Sequence, residues 1–135
     1  MNDAIIKVLE RKDDIMSKTM EYENANLASE KDGINALGDI VEDDNSYSKL
    51  FDFFDKNFND DEIMVIQSIM YFGRECFCND NYSCGNSIDE IISYWMKGLC
   101  FSFGKQIQKD IEIHQMVEKG LKIGTYFKCG FEKLK

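Results

Sequence analysis

The chain has 135 residues, with 16 Lys plus Arg against 25 Asp plus Glu, a formal net charge of −9 and no proline. This length suits one domain with its own core, so neither a metal nor a disulfide staple is required for folding. The 44% hydrophobic and 30% charged residues exclude a disordered chain, no apolar run reaches the roughly 18–20 residues of a membrane span, and the missing proline points to long helices.

Ile6, Leu9, Met16, Met20 and Leu27 recur at helical spacing and predict one long helix over 3–27, with Asn2 or Asp3 as its cap. Asp13 and Glu23 interrupt its apolar seam, which argues against an extended coiled coil. A short helix is expected over 34–42 from Ile34, Leu37, Ile40 and Val41, then a polar turn at 42–46 (EDDNS). A helix over 47–57 follows, carrying Tyr47, Leu50, Phe51 and Phe54 on one side.

Asn59 before Asp60, Asp61 and Glu62 is a helix start, since the acids complement the positive end of the helix dipole. The next ten residues, IMVIQSIMYF, are apolar on nearly all sides and predict the central buried helix. Residues 77–87 read as a loop. Ser87 with Glu90 is a capping box opening a helix over 88–103, with Ile88, Ile91, Ile92, Trp95, Leu99 and Phe103 on its apolar face and Gly104 at its end. Two further helices are predicted, over 105–119 (Ile107, Ile111, His114, Val117) and 122–134 (Ile123, Phe127, Phe131, Leu134). The Gly120 to Gly124 spacing implies close helix packing. The expected fold is all-α: one domain over 1–135, a compact bundle of five to six helices around a buried helix at about 60–76.

The charge is segregated. Residues 1–62 hold 17 acids and 7 bases, whereas residues 102–135 hold 4 acids and 7 bases. An acidic surface repels nucleic acid and anionic lipid and attracts basic partners. The N-terminus, MNDAIIKVLERKDD, lacks the uninterrupted apolar core of a signal peptide, so a cytoplasmic location with five free thiols is expected. Cys76, Cys78 and Cys84 are the nearest approach to a zinc motif, but one C-x-C and scattered single cysteines do not match the paired knuckles of structural zinc sites, and no metal or cofactor is expected. No calcium loop, phosphate loop or nucleophile elbow is present. His114, the single histidine, lies on the predicted apolar stripe and reads as a packed residue with one nitrogen satisfied.

Phe51, Phe53 and Phe54 occupy adjacent positions that cannot all face the same point of a core, so they read either as a wide core face or as a core face with Phe53 or a neighbour on a second apolar face. Arg74 follows Gly73 at the expected end of the central helix, where a cation complements the negative dipole end; its alternative is gripping a carboxylate or phosphate.

Asp61-Glu62-Ile63 leading into SIMYFGRE (68–75), taken with MVEKGLKIGTYFKCGFEKL (116–134), resembles the C-terminal half of a family of small helical bacterial proteins known as a domain of unknown function. In that family an L-M-[YW]-x-G-R helix end precedes an E-K-x-x-L-x-x-[YF]-[LF]-x-x-G segment. The resemblance covers about residues 59–134 and implies a helical fold and a bacterial or phage origin, with no activity to carry over.

The expected function is a non-enzymatic acidic module that binds a protein partner with a basic surface, as immunity proteins, antitoxins and phage-encoded inhibitors do. Asp39, Glu42, Asp43, Asp44, Phe53 and Arg74 are its candidate contacts. Direct nucleic-acid binding and a membrane are not expected, and a homodimer is compatible with the aromatic face. The alternatives are a nucleic-acid mimic blocking a basic groove, and a small ligand-binding or enzymatic domain using Arg74 and nearby acids.

Overall fold

The structure, a computed structural model, describes the backbone of residues 2–31 and 36–134 and the side chains of residues 2–26 and 46–134. Among these residues there are seven helices and no strand: α1 (Asp3–Glu10), α2 (Lys12–Lys31), α3 (Ala36–Asn57), α4 (Asp60–Cys78), α5 (Ile88–Gly98), α6 (Lys109–Lys119) and α7 (Ile123–Lys133). The all-α class is as the periodicity predicts. No helix among the described residues is long and apolar enough to cross a membrane.

The molecule is organised around α4. Asn59 caps it by accepting from the Glu62 N–H at 2.9 Å, and the Glu62 carboxylate accepts the Asn59 N–H in return at 2.8 Å. Every residue from Glu62 to Gly73 is buried. The helix is enclosed by α7, α5, α1 and α6, which accounts for a sequence apolar all round. Glu62, itself 3% exposed, lies 3.5 Å from the Lys7 ammonium of α1.

Helix α7 packs between α4 and α2 at backbone distance. A Cβ on Gly73 would stand 1.7 Å from the Tyr126 carbonyl oxygen, and one on Gly124 would stand 2.5 Å from Met20 Cα. Gly130 closes the α4 contact from the other side, where an added Cβ would meet the Ile69 carbonyl oxygen at 2.9 Å. The predicted close packing at Gly124 is therefore real, although its partner residues are Thr19 and Met20 of α2. The N-terminus of α7 receives no cap from its own Lys122. Glu23 of α2, 6% exposed, supplies one across the interface: its carboxylate accepts from the Thr125 N–H at 2.9 Å and the Thr125 hydroxyl at 2.8 Å. The acid that interrupts the α2 seam is thus the anion that α7 requires.

Several predicted boundaries move. The 3–27 helix is divided at Arg11, whose N–H is shared between the Lys7 and Val8 carbonyls. The polar turn at 42–46 does not exist: α3 runs through it, because Asp and Asn cost a helix only fractions of a kcal/mol each and no proline is there to break it. Ile34, the start of the predicted 34–42 helix, lies outside the described residues, as do the side chains of Leu37, Ile40 and Val41.

Helix α5 ends at Gly98, well before the predicted 103. Its end is a Schellman motif in which Cys100, at φ 62°, takes the left-handed position usually given to glycine. The Cys100 N–H donates to the Lys97 carbonyl at 3.1 Å and the Phe101 N–H to the Met96 carbonyl at 2.7 Å. The left-handed conformation costs a side-chain-bearing residue about 1–2 kcal/mol.

Two substitutions test this packing by chemical denaturation. Gly73→Ala is expected to lower the unfolding free energy by about 3 kcal/mol or more, because the new methyl collides with backbone that cannot move aside. Cys100→Gly is expected to raise it by about 1 kcal/mol through relief of the left-handed strain.

Candidate functional site

The face built by α2, α3 and α6 gathers the residues with most chemistry. Tyr47, in the C-terminal half of α3, places its hydroxyl 2.5 Å from His114 Nδ1 on α6. The Nε2 atom of the same ring lies 3.1 Å from Glu118 Oε2, one turn further along α6. A carboxylate at Nε2 favours a proton there, leaving the Nδ1 lone pair to accept the Tyr47 O–H. Phenol, imidazole and carboxylate thus stand in one line. Burial, then the neighbouring Tyr22 and Glu118, push the Tyr47 hydroxyl above the usual tyrosine range. The same contact fixes α6 on α3, together with Lys109, whose ammonium reaches the Asp55 carbonyl.

This placement corrects the packed reading of His114. The imidazole is exposed and both of its nitrogens are engaged. Of the predicted stripe, Val117 is buried and Ile107 half-buried against the core, whereas Ile111 is 45% exposed and Ile113 and Met116 are buried in its place. Residues 113, 116, 117 and 120 satisfy helical spacing as well as 107, 111, 114 and 117 do, so periodicity alone does not choose between the registers. Helix α6 is also shorter than predicted, beginning at Lys109 rather than 105.

Beside this line, α2 and α3 enclose a cleft of about 390 Å³. Tyr22, Leu50 and Phe53 form its apolar surface, with Glu21, Asp52, Lys18 and Lys49 around them. Phe53 is half-buried, with its ring against Phe54 and edge-on to Phe58, while Phe54 is fully in the core. Phe51 and Phe53 are thus partly buried against the same core that holds Phe54, which makes one wide core face whose edge reaches the cleft. Asp39, Glu42, Asp43 and Asp44 belong to α3, and their side chains lie outside the described residues.

Arg74 is elsewhere. Helix α4 continues one turn beyond it to Cys78, so it does not cap the helix end. Its guanidinium sits over the Tyr71 ring at 4.9 Å, and Tyr71 stacks on Trp95 of α5. Tyr82 from the 79–87 loop closes the same aromatic group. The Gln67 side-chain oxygen of α4 is buried with no hydrogen-bond partner among the described residues, and the buried Trp95 indole N–H lies at the Cys84 sulfur.

Among the described residues no group of three or more His, Cys, Asp or Glu side chains is arranged to hold a metal ion. Cys76 is buried and Cys78 exposed, so the C-x-C pair is split between core and solvent. Burial pushes the Cys76 thiol up to about 11 and also raises Cys84, which contacts with Tyr82 and Trp95 partly offset.

No family model matches the chain, and neither a curated protein nor a solved structure shows significant similarity to it.

Removing the Tyr47 hydroxyl (Tyr47→Phe) is expected to cost about 1 kcal/mol of stability in urea denaturation. His114→Ala is expected to cost a similar amount and the double variant less than their sum. Additive losses would mean that hydroxyl and imidazole do not interact.

Proposed function

We propose that this protein is a non-enzymatic interaction module that docks on a basic protein partner through its α2–α3 face. The supporting observation is the cleft between these helices, where Tyr22 and Phe53 present ring surface within the chain's most acidic segment. Aromatic faces and carboxylates together suit Lys and Arg side chains, which pair with the acids and lie over the rings. Lys18 and Lys49 also reach the cleft, so the attraction arises from the surplus of acids along α1–α3 more than from the cleft residues alone. Asp39, Glu42, Asp43 and Asp44 extend that surplus along α3. The aromatic rings supply area that holds its shape on binding, and the surrounding charge supplies steering and selection against acidic competitors.

The chemistry expected of such a partner is that of a protein whose own working surface is basic, such as a nuclease or a nucleic-acid-binding toxin. Blocking that surface is how immunity proteins, antitoxins and phage-encoded inhibitors act, and a bacterial or phage origin fits this reading. The alternative that employs Arg74 as an anion grip is less favoured, since its guanidinium already lies over Tyr71.

Affinity capture from the host at about 0.1 M and about 0.5 M salt tests the proposal. A basic partner is expected to be retained at the lower salt and lost at the higher. Replacing Glu42, Asp43 and Asp44 together by their amides is expected to weaken capture at least fivefold with helix content unchanged. Retention of the partner by this triple variant would sink the electrostatic reading.

A further inference from the structure

A second concavity lies on the other side of α2, where that helix meets α7. It has a volume of about 440 Å³, within the roughly 300–1,000 Å³ of small-ligand sites. Its surface is chiefly Met16, Met20 and Phe131, and it lies beside Gly124, where α7 touches the α2 backbone. Methionines suit a ligand of variable shape, being unbranched and polarizable.

The rim carries a net positive charge, as the C-terminal segment that includes α7 does. Lys12 on α2 and Lys128 on α7 both line the groove and are exposed, against one acid, Glu132. A surplus of positive charge beside an apolar channel is unusual on a chain of net charge −9. Two cations over an apolar floor match a molecule with an anionic head and an aliphatic tail.

We propose that the α2–α7 groove binds a single-chain anionic amphiphile of the fatty-acid class. The tail lies along Met16, Met20 and Phe131, and the carboxylate is held between Lys12 and Lys128. This site is separate from the α2–α3 cleft and does not depend on the partner reading given above.

Laurate, kept below its micelle-forming concentration, is the probe, followed by isothermal titration and by the methyl resonances of the methionines. Saturable binding is expected, with shifts concentrated on Met16 and Met20. Affinity should rise roughly two- to fourfold per added methylene from octanoate to laurate, as tail burial requires. Lys128→Glu, a change at an exposed position, is expected to weaken laurate binding about tenfold. Ser17→Trp, which fills the groove from its exposed edge, is expected to abolish binding. Should that variant fail to fold, the Lys128 variant and the chain-length series decide the matter. The proposal is overturned by absence of saturable binding, by shifts centred on other methionines, by a flat chain-length series, or by dodecanol binding as tightly as laurate. A folded Ser17→Trp that still binds overturns it as well.

Discussion

The structure depends on the backbone-to-backbone approach of α7 to α4 and α2. Gly73 and Gly130 remove side chains from one contact and Gly124 from the other, so three helices meet with almost no intervening atoms. Such proximity multiplies weak dispersion contacts and excludes water, but it leaves no side-chain route for satisfying the first N–H groups of α7. Glu23 resolves that problem from outside, by reaching across from α2 to the Thr125 N–H and hydroxyl. Without the carboxylate the half-buried Thr125 N–H and hydroxyl would lose this partner.

With this assembly in place, the remaining elements take their positions from α4. α1, α5 and α6 each cover part of its surface, and α3 is set by α2 on one side and α6 on the other. Both concavities arise at α2: one where it departs from α3, the other where it departs from α7. Their linings differ because opposite faces of one helix contribute to each, Lys18, Glu21 and Tyr22 to the first and Lys12, Met16 and Met20 to the second. A single helix thus carries two surfaces of different chemistry, one within an acidic aromatic setting and one apolar with a cationic rim.

Much of the fold was legible in the sequence where local physics decides. The buried α4 follows from its unbroken apolar run, its start from the Asn59 and Glu62 pair, and the start of α5 from Ser87 and Glu90. What was illegible depends on distant partners. The register of α6 is set by its contacts with α3 and α4, and two registers satisfy the same spacing. The end of α5 carries cysteine where the usual signal is glycine. The continuation of α3 through EDDNS shows that turn-favouring residues do not end a helix unless something prevents its next hydrogen bond. Among candidate residues, the wide core face of the Phe51–Phe54 run was one of the two readings its spacing allowed. The Tyr47–His114–Glu118 line was only partly legible. Glu118 stands four residues after His114, an ordinary helical pairing, but Tyr47 comes from 67 residues away and no local pattern announces it.

The Gly73 contact also restricts motion. Two packed helices commonly adjust by sliding along each other, and a full step is one turn, about 5.4 Å. Here a slip of one turn in either direction would bring the Tyr126 carbonyl against Met70 or Phe77, and each of those carries a side chain where Gly73 has none. The α4–α7 pair is therefore a ratchet with one notch. Any rearrangement must be taken up by elements outside it, such as α3 and α6, whose mutual contacts include the exposed Tyr47–His114 and Lys109–Asp55 pairs.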